Sequence, residues 1–292
     1  MSLSPAEKVL EIRTLISAIE ERHAIRVMAA VEGGSRAHGF ASPDSDHDIR
    51  FIFRLPPERQ FSLVDGKDHL TLKMKDLPYD PGFEIEFDGI TVKKALSMAV
   101  SSKPEISEYV RRAGQMGVFN HGYAGDDGFI RSMLSLSSGL QPRPAAHNFR
   151  GLAKKNHFRD VDGSGAPMLK TYLHSARALM LSRWIYDNHQ RAFEYPLDFD
   201  DLLAQAELPG NVAQAIASVL DWKRGALDSK SRYRIEVLDD WIASEFEILE
   251  RIIPSIPDYP MIDPDRATAI LLDCYGISPE KEREHAIQPG LM

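Results

Sequence analysis

The sequence contains a single cysteine, Cys274, among its 292 residues. One cysteine cannot form an internal disulfide, so a disulfide-stapled scaffold is excluded and no disulfide-linked partner is expected. We interpret Cys274 as an ordinary buried cysteine of a protein in the reducing cytoplasm. Cysteine and histidine clusters with the spacing of zinc ligands are also missing from the sequence.

Long hydrophobic runs are missing as well. No apolar stretch reaches the roughly 18 residues that a transmembrane helix needs, so we expect no membrane partner. The amino terminus has no signal-like apolar core. Its Ser4-Pro5-Ala6-Glu7 segment instead has the form of a capping box, which predicts a helix that extends to about residue 23. These features favour a cytoplasmic protein.

Positive charge is in short supply. The chain has 43 acidic residues against 35 lysines and arginines, and its formal net charge is −8. This balance disfavours a broad nucleic-acid-binding surface, although it allows a local basic groove. The length is sufficient for one large domain or two ordinary ones.

The most informative stretch is residues 33–50, which reads G-G-S-R-A-H-G-F-A-S-P-D-S-D-H-D-I-R. The mostly apolar run 25–31 before it predicts a buried strand that ends in a glycine turn. Glycine allows backbone N–H groups to approach a ligand closely, and Ser35 can add a hydroxyl donor. The pattern therefore indicates phosphate binding at Gly34 and Ser35.

Two acidic residues follow, at the start of a second strand predicted over residues 47–53. Because side chains alternate along a strand, Asp46, Asp48 and Arg50 are expected to share one face. Two carboxylates on one face repel each other unless a cation lies between them. Oxygen ligands of this kind suit Mg²⁺, with Mn²⁺ as the alternative ion.

The run 33–50 resembles the nucleotidyltransferase signature of the DNA polymerase beta superfamily, a Gly-Ser turn followed by Asp-x-Asp. Its extended form is similar to that of the RlaP or YcgL-like predicted nucleotidyltransferases, some of which are associated with RNA ligases. The resemblance implies an α+β fold. A polymerase-beta-like nucleotidyltransferase domain, with a mixed sheet and flanking helices, would be followed by an all-α helical domain.

The periodicity of the sequence changes in the way that this fold requires. Helix and strand patterns are mixed at first, whereas the later periodicity is helical. Helices are predicted over residues 127–137, 145–159, 167–189, 211–224 and 233–253. We expect a catalytic domain over residues 1–120, a helical domain over 121–255 that closes the cleft, and a peripheral segment over 256–292.

The resemblance also implies a third carboxylate on a neighbouring strand. The run 82–89 alternates acidic and apolar residues, so Glu84, Glu86 and Asp88 are expected on one face. Matching the family pattern to residues 86–96 gives Glu86 the catalytic position and leaves Asp88 in reserve. The family usually has aspartate where Glu86 stands, so loss of activity is an open alternative.

The chemistry implied by the resemblance is metal-dependent nucleotidyl transfer. Asp46, Asp48 and Glu86 would be the catalytic residues and the metal ligands in a two-metal mechanism. An acceptor hydroxyl would attack the α-phosphorus of an NTP, with ATP as the first choice. The acceptor stays open among an RNA end, a protein and a small molecule, and a catalytically weak nucleotide-binding regulatory protein is a further alternative.

Basic side chains are the remaining candidates for phosphate contacts. Arg36 and Arg50 lie within the motif, although an arginine beside carboxylates is as often a structural ion pair. In the helical half, Lys170, His174 and Arg177 are expected on one helical face, from which they could reach a triphosphate across the cleft. A solvated or salt-bridged helix face is the alternative for these three residues.

Overall fold

The computed structural model of the chain describes residues 3–62, 67–115, 122–159, 166–225 and 231–277. Within them the fold is α+β, as expected: a mixed five-stranded sheet with flanking helices precedes a helical region. The strands are β1 (Arg26–Glu32), β2 (His47–Arg54), β3 (His69–Leu72), β4 (Ile85–Thr91) and β5 (Gly122–Gly125).

The helices fall into two groups. The helices beside the sheet are α1 (Pro5–His23), α2 (Gly34–Ala37), α3 (Pro57–Gln60), α4 (Val92–Val100), α5 (Pro104–Gly114), α6 (Asp127–Ser137) and α12 (Pro264–Asp273). The helices of the helical region are α7 (Pro142–Arg159), α8 (Leu169–Asp187), α9 (Phe199–Gln205), α10 (Gly210–Arg224) and α11 (Glu236–Ile252). Short 3-10 helices cover Met74–Asp76, His189–Glu194 and Ile253–Ser255. Among the described helices, none has the length and hydrophobicity required to cross a membrane.

The strand order in the sheet is β3-β4-β2-β1-β5. Strands β2 and β4 are parallel, and the other neighbouring pairs are antiparallel. The parallel register sets Asp48 beside Glu86 and Arg50 beside Asp88. The strand predicted to carry the third acid is therefore the direct neighbour of the strand that carries the first two.

The two faces of the sheet are covered by different helices. Ile49 and Phe51 of β2 lie in the core that α1 completes, whereas Ile52 lies in the core that α4, α5 and α6 complete. Since side chains alternate along β2, Asp48 and Arg50 point to the α5 side. Each is half-buried there. The predicted alternation is confirmed, and it opens a polar cleft on this face.

The packing differs from the expected division of the chain. The sheet continues past the boundary predicted at residue 120, because β5 pairs with β1 and α6 buries Ile130 and Met133 in the core shared with α4 and α5. The segment 256–292 was expected to be peripheral, yet in its described part Ile262 and Ala267 are buried in that same core. The prolines and charges of this segment do not prevent its apolar residues from packing against α4 and α6.

Most predicted helices are present with shifted ends. The capping box of Ser4 and Glu7 opens α1, and the helix predicted over 127–137 is α6. The helix predicted over 167–189 ends earlier, because Asn188 leaves the helical conformation and a 3-10 helix follows.

Candidate active site

The glycine turn lies directly against the first acidic strand. The Gly33 amide donates to the Asp48 carbonyl at 2.6 Å, and Gly34 has a left-handed φ of 58°. A Cβ atom on Gly34 would lie 1.8 Å from Asp48 Oδ2, so only glycine permits this approach. The amides of Gly34 and Ser35 and the Ser35 hydroxyl donate to no acceptor within the described part of the chain. They are available to a ligand.

Negative charge is concentrated around Asp48. Its side chain is 24% exposed. Burial and the neighbouring Asp46 raise the pKa of Asp48, with further contributions from Glu32 and Glu86, and Arg50 opposes the shift. Without a bound cation, the ionised form of Asp48 is therefore less stable in the protein than that of an aspartate in water. A bound cation would relieve this repulsion.

The two candidates for the third acid have different surroundings. The carboxylate of Asp88 accepts hydrogen bonds from Arg50 Nη1 and, at 2.9 Å, from Thr71 Oγ1. Glu86 has neither a hydrogen-bond nor an ion-pair partner for its carboxylate among the described residues. Glu86 is thus the available carboxylate beside Asp48, whereas Asp88 serves a structural ion pair.

The three predicted ligands do not yet form a coordination shell. In the ranges that the structure describes, no three Asp, Glu, His or Cys side chains are arranged to hold a metal ion. The donor chemistry nevertheless fits a hard divalent cation, since Asp46, Asp48 and Glu86 all offer carboxylate oxygens. An ion that bound there would draw the three side chains together.

The two arginines of the motif contact carbonyl and carboxylate groups of the protein itself. Arg36 donates through Nε to the carbonyls of Ser45 and Asp46, each at 3.1 Å, and through Nη2 to the Ser45 carbonyl. Arg50 pairs with Asp88, and its Nη2 lies 3.8 Å from Asp48 Oδ1. Both arginines were predicted to contact the nucleotide. The contacts that the structure gives them hold the backbone before Asp48 and the side chains of Asp48 and Asp88, and contact with the nucleotide stays a prediction.

A buried carboxylate fixes the start of β2 from the opposite face. Glu32, only 4% exposed, accepts a hydrogen bond from the Tyr123 hydroxyl and, at 3.2 Å, from the Asp48 amide. Its Oε2 also lies 3.0 Å from His47 Nδ1. Burial raises the pKa of Tyr123, so the phenol stays protonated and keeps donating. The backbone of Asp48 is therefore held rigidly.

One residue of the helical face predicted to reach the triphosphate, Arg177, forms a buried ion pair within the protein. Arg177 is 5% exposed, and its Nη2 lies 3.1 Å from Glu108 Oε2. Arg112 Nε and His38 Nδ1 lie 3.3 and 3.2 Å from the other carboxylate oxygen. Burial tends to raise the pKa of Glu108, but Arg177, the contact with His38 and Arg112 together hold it well below its ordinary value. This ion pair agrees with the alternative of a salt-bridged helix face for Arg177, and its contact with the nucleotide stays a prediction.

Lys170 remains half-buried and is joined by a second lysine. Lys223 of α10 is 6% exposed, and its Nζ lies 3.2 Å from the hydroxyl oxygens of both Ser42 and Ser45. Burial and the nearby Lys170 lower the pKa of Lys223, and Asp46 opposes the shift. Lys223 of the helical region therefore contacts the loop that carries Asp46, and the charge of Lys170 acts on Lys223.

Comparison with known proteins identifies the family of the chain. The family profile described as "RlaP: RNA repair pathway DNA polymerase beta family" matches residues 11–271. The chain belongs to this family. It is also similar to a protein of Bacillus subtilis (strain 168) described as "Uncharacterized protein YcgL", at 24% identity over 229 residues that cover 78% of this chain and 82% of the relative. Family membership confirms the resemblance and indicates a nucleotidyltransferase-like function.

In this RlaP-family protein, the structure sets Gly34 against Asp48 and Glu86 in register beside Asp48, and the charge of Asp46 acts on Asp48. Sequence reasoning missed the second lysine, although a signal was present. Lys223 takes the next position in the buried stripe of α10, which otherwise consists of Val212, Ile216, Val219 and Leu220. A lysine in a core stripe is rare unless its ammonium group has a specific role.

Proposed function

We propose that this RlaP-family protein is a metal-dependent nucleotidyltransferase that moves NMP from an NTP, with ATP as the first choice, to an acceptor hydroxyl. The observation that carries the proposal is the contact between the Gly34 turn and Asp48, with Glu86 in register beside it. Free amide donors adjoin carboxylates there. A nucleotide–metal complex needs both, since donors bind its phosphate oxygens and carboxylates bind its cation.

Each group at the turn has a distinct role in this scheme. Asp46, Asp48 and Glu86 would hold Mg²⁺ or Mn²⁺, which would offset phosphate charge and favour ionisation of the acceptor hydroxyl. The Gly34 and Ser35 amides would hold oxygens of the β- and γ-phosphates. The acceptor oxygen would bond to the α-phosphorus as the bond to the bridging oxygen breaks. Pyrophosphate would leave, and the hydroxyl proton would pass to water.

An RNA end is the acceptor that we favour. The description of the family as part of an RNA repair pathway supports it. A protein or a small molecule carrying a hydroxyl would serve the same chemistry, because the fold leaves the acceptor undefined.

A second candidate function is nucleotide binding with little catalysis. It is favoured by Glu86, which stands in the position where the family usually has aspartate. A longer side chain changes the reach of the carboxylate, and catalysis is sensitive to shifts of about 1 Å.

The experiment is a transfer assay with each α-³²P-labelled NTP, Mg²⁺ or Mn²⁺, and either pooled RNA or cell extract. The protein is compared with the Asp46→Ala/Asp48→Ala double variant. Asp44→Ala is the control, because Asp44 is exposed on the same loop and its replacement removes one carboxylate outside the proposed ligands. Label on RNA that the double variant loses, and the control keeps, supports transfer to RNA.

The other outcomes separate the alternatives. Label on protein would redirect the acceptor assignment to protein. Nucleotide binding without transfer under every condition would refute the enzyme and leave the second candidate. Transfer at an unchanged rate by the double variant would refute the site itself.

A further inference from the structure

Helix α7 carries positive charge that the protein neutralises on one face only. Its 18 residues include five lysines and arginines and no acidic residue, in a chain whose formal net charge is −8. Arg143 and Arg150 each form an ion pair with a carboxylate of a later segment, at 2.9 and 3.0 Å. Lys155, on another face, is exposed and has no carboxylate within ion-pair distance in the described ranges. That face of α7 is therefore open to an anionic partner.

The open face of α7 lies beside the start of α5. Asn148, Gly151 and Lys155 share this face, since residues three or four positions apart are neighbours on a helix surface. The ammonium group of Lys103, the residue directly before α5, donates to Asn148 Oδ1 at 2.9 Å, and Asn148 Nδ2 donates to the Pro144 carbonyl at 2.9 Å. Lys103, Asn148, Gly151 and Lys155 form the α7 strip. Among the described residues, the Asn148 amide is the only hydrogen-bond partner of its two ammonium groups.

Gly151 leaves the middle of the α7 strip without a side chain. Glycine inside a helix is destabilising relative to alanine, so its presence there calls for a reason. Packing does not supply one, because a Cβ atom on Gly151 would meet no heavy atom within 4 Å. The missing side chain lets the backbone of a ligand lie close to the helix.

One face of α5 connects the α7 strip with the candidate active site. The charges of Lys103 and Lys155 act on Glu105, in the first turn of α5. The charge of Arg50 acts on Glu105 as well, and on Tyr109 one turn later. Because Arg50 belongs to the acidic face of β2, the strip and the proposed metal site lie on the same side of the sheet. A polymer that ends at the acids can therefore follow α5 to the strip.

Resting on the proposed transfer to RNA, we propose that the α7 strip binds the backbone of a single-stranded RNA whose terminal hydroxyl lies at the acids. Its phosphates contact Lys103 and Lys155, since ammonium groups are point charges suited to phosphate oxygens. Between these contacts the strand passes over Gly151. From Asn148 to Lys155 the helix rises about 10 Å, roughly the length of three stacked nucleotides in one strand.

The test measures binding of a short fluorescein-labelled single-stranded RNA by fluorescence anisotropy, in Mg²⁺ without NTP and over a range of salt concentrations. The variants are Lys103→Met, Lys155→Met and the pair Gly151→Glu and Gly151→Gln, which differ from each other only in charge. Lys154→Met is the charge-matched control, because Lys154 is also exposed on α7 but lies on the face of Arg150. Calorimetry measures ATP binding to the same proteins.

We expect each of Lys103→Met and Lys155→Met to weaken RNA binding about fivefold, the effect of one lost surface ion pair at the upper end of its range. Each should also reduce the slope of log Kobs against log salt concentration by about 0.7, since one phosphate contact is lost. Gly151→Glu should bind RNA at least about fivefold more weakly than Gly151→Gln, because its carboxylate lies among the phosphates. Both variants at this position should fold, since the added side chain enters open space. Lys154→Met should keep the wild-type affinity and slope, and every variant should bind ATP as the wild type does.

The possible failures point to different errors. Unchanged affinity and slope in both lysine variants, equal RNA affinities of Gly151→Glu and Gly151→Gln, or an equal loss in Lys154→Met would each overturn the α7 strip while nucleotide binding stands. Tighter binding of a DNA strand of the same sequence would overturn the assignment to RNA. A wild-type protein that binds ATP and no RNA would overturn this inference alone, whereas one that binds no ATP would overturn the proposed function.

Discussion

Replacing Asp48 with asparagine should stabilise the protein in the absence of divalent cations. Burial, Asp46, Glu32 and Glu86 all raise the pKa of Asp48, so its surroundings destabilise the ionised form of this acid. Asparagine has nearly the same size and carries no charge. The variant therefore removes the repulsion and leaves the packing beside Gly34 in place.

The expected change in the free energy of unfolding is the difference between a lost ion pair and relieved charge repulsion. The substitution also removes the contact between Asp48 Oδ1 and Arg50 Nη2, a 3.8 Å pair of the kind that contributes about 0.2–1 kcal/mol. Arg50 keeps its ion pair with Asp88. Relief of charge repulsion at functional sites commonly adds about 0.5–2 kcal/mol. We expect a net gain of about 1 kcal/mol in the free energy of unfolding.

The pH dependence of stability provides a second test of whether Asp48→Asn is stabilising. Because the folded pKa of Asp48 is higher than its unfolded value, the native state binds this proton more tightly than the unfolded state does. The contribution of Asp48 to stability therefore falls as the pH rises through the range just above its unfolded pKa of about 3.9. The advantage of Asp48→Asn should be absent below that range and complete at neutral pH.

Urea denaturation in EDTA and in Mn²⁺ measures these effects. Mn²⁺ at a hundred times its dissociation constant should stabilise the wild type by about 2.7 kcal/mol and stabilise Asp48→Asn much less. Asp44→Asn, an exposed change on the same loop, should alter neither value by more than about 0.5 kcal/mol. An Asp48→Asn variant that is less stable than wild type in EDTA, or equally stabilised by Mn²⁺, would refute the reasoning.

Three further results are expected. Glu108→Gln should lower the free energy of unfolding by about 3–5 kcal/mol, because it leaves two buried arginines without their carboxylate; a loss below about 1 kcal/mol in guanidinium denaturation would contradict this. Gly34→Ala should abolish ATP binding in calorimetry, because its Cβ would collide with the neighbouring carboxylate, whereas Gly39→Ala, also at positive φ but with open space around it, should retain binding. Burial lowers the pKa of His38 to about 4 and of His174 to about 3, below the unfolded value of about 6.5, so thermal stability should fall as the pH drops from about 6.5 towards 4. His174→Gln should weaken that fall, and an unchanged pH profile would count against the assignment.

Local patterns predicted the sheet side of the site well. Alternation along a strand is a property of neighbouring residues, and it correctly assigned Asp48 to the face opposite Ile49. The same pattern placed Glu86 on the face opposite Phe87. The parallel pairing of β2 with β4, which sets these two acids side by side, required the family resemblance, because a strand does not encode its partner.

The helical side was harder to predict, because its contacts join distant parts of the chain. Periodicity correctly identified the buried apolar stripe of α8, but the face predicted to be polar is largely buried as well, Arg177 included. It could not show that Glu108, on α5, neutralises Arg177. Lys223 reaches Ser42 across 181 positions in the sequence. Tertiary packing decides such contacts, and the helical pattern of each element is compatible with many packings.

The chemical difference between arginine and lysine explains which predicted cations remain available to phosphate. Arg36, Arg50 and Arg177 were all expected at the nucleotide, yet each guanidinium engages a carbonyl or a carboxylate of the protein. A planar guanidinium with five donors can satisfy several acceptors at once, which suits it to fixing the shape of a loop. Lys170 and Lys223 have compact charges and no carboxylate partner in the described residues. We therefore expect the arginines to set the geometry of the acids, and Lys170, together with the amides of the glycine turn, to meet the phosphates.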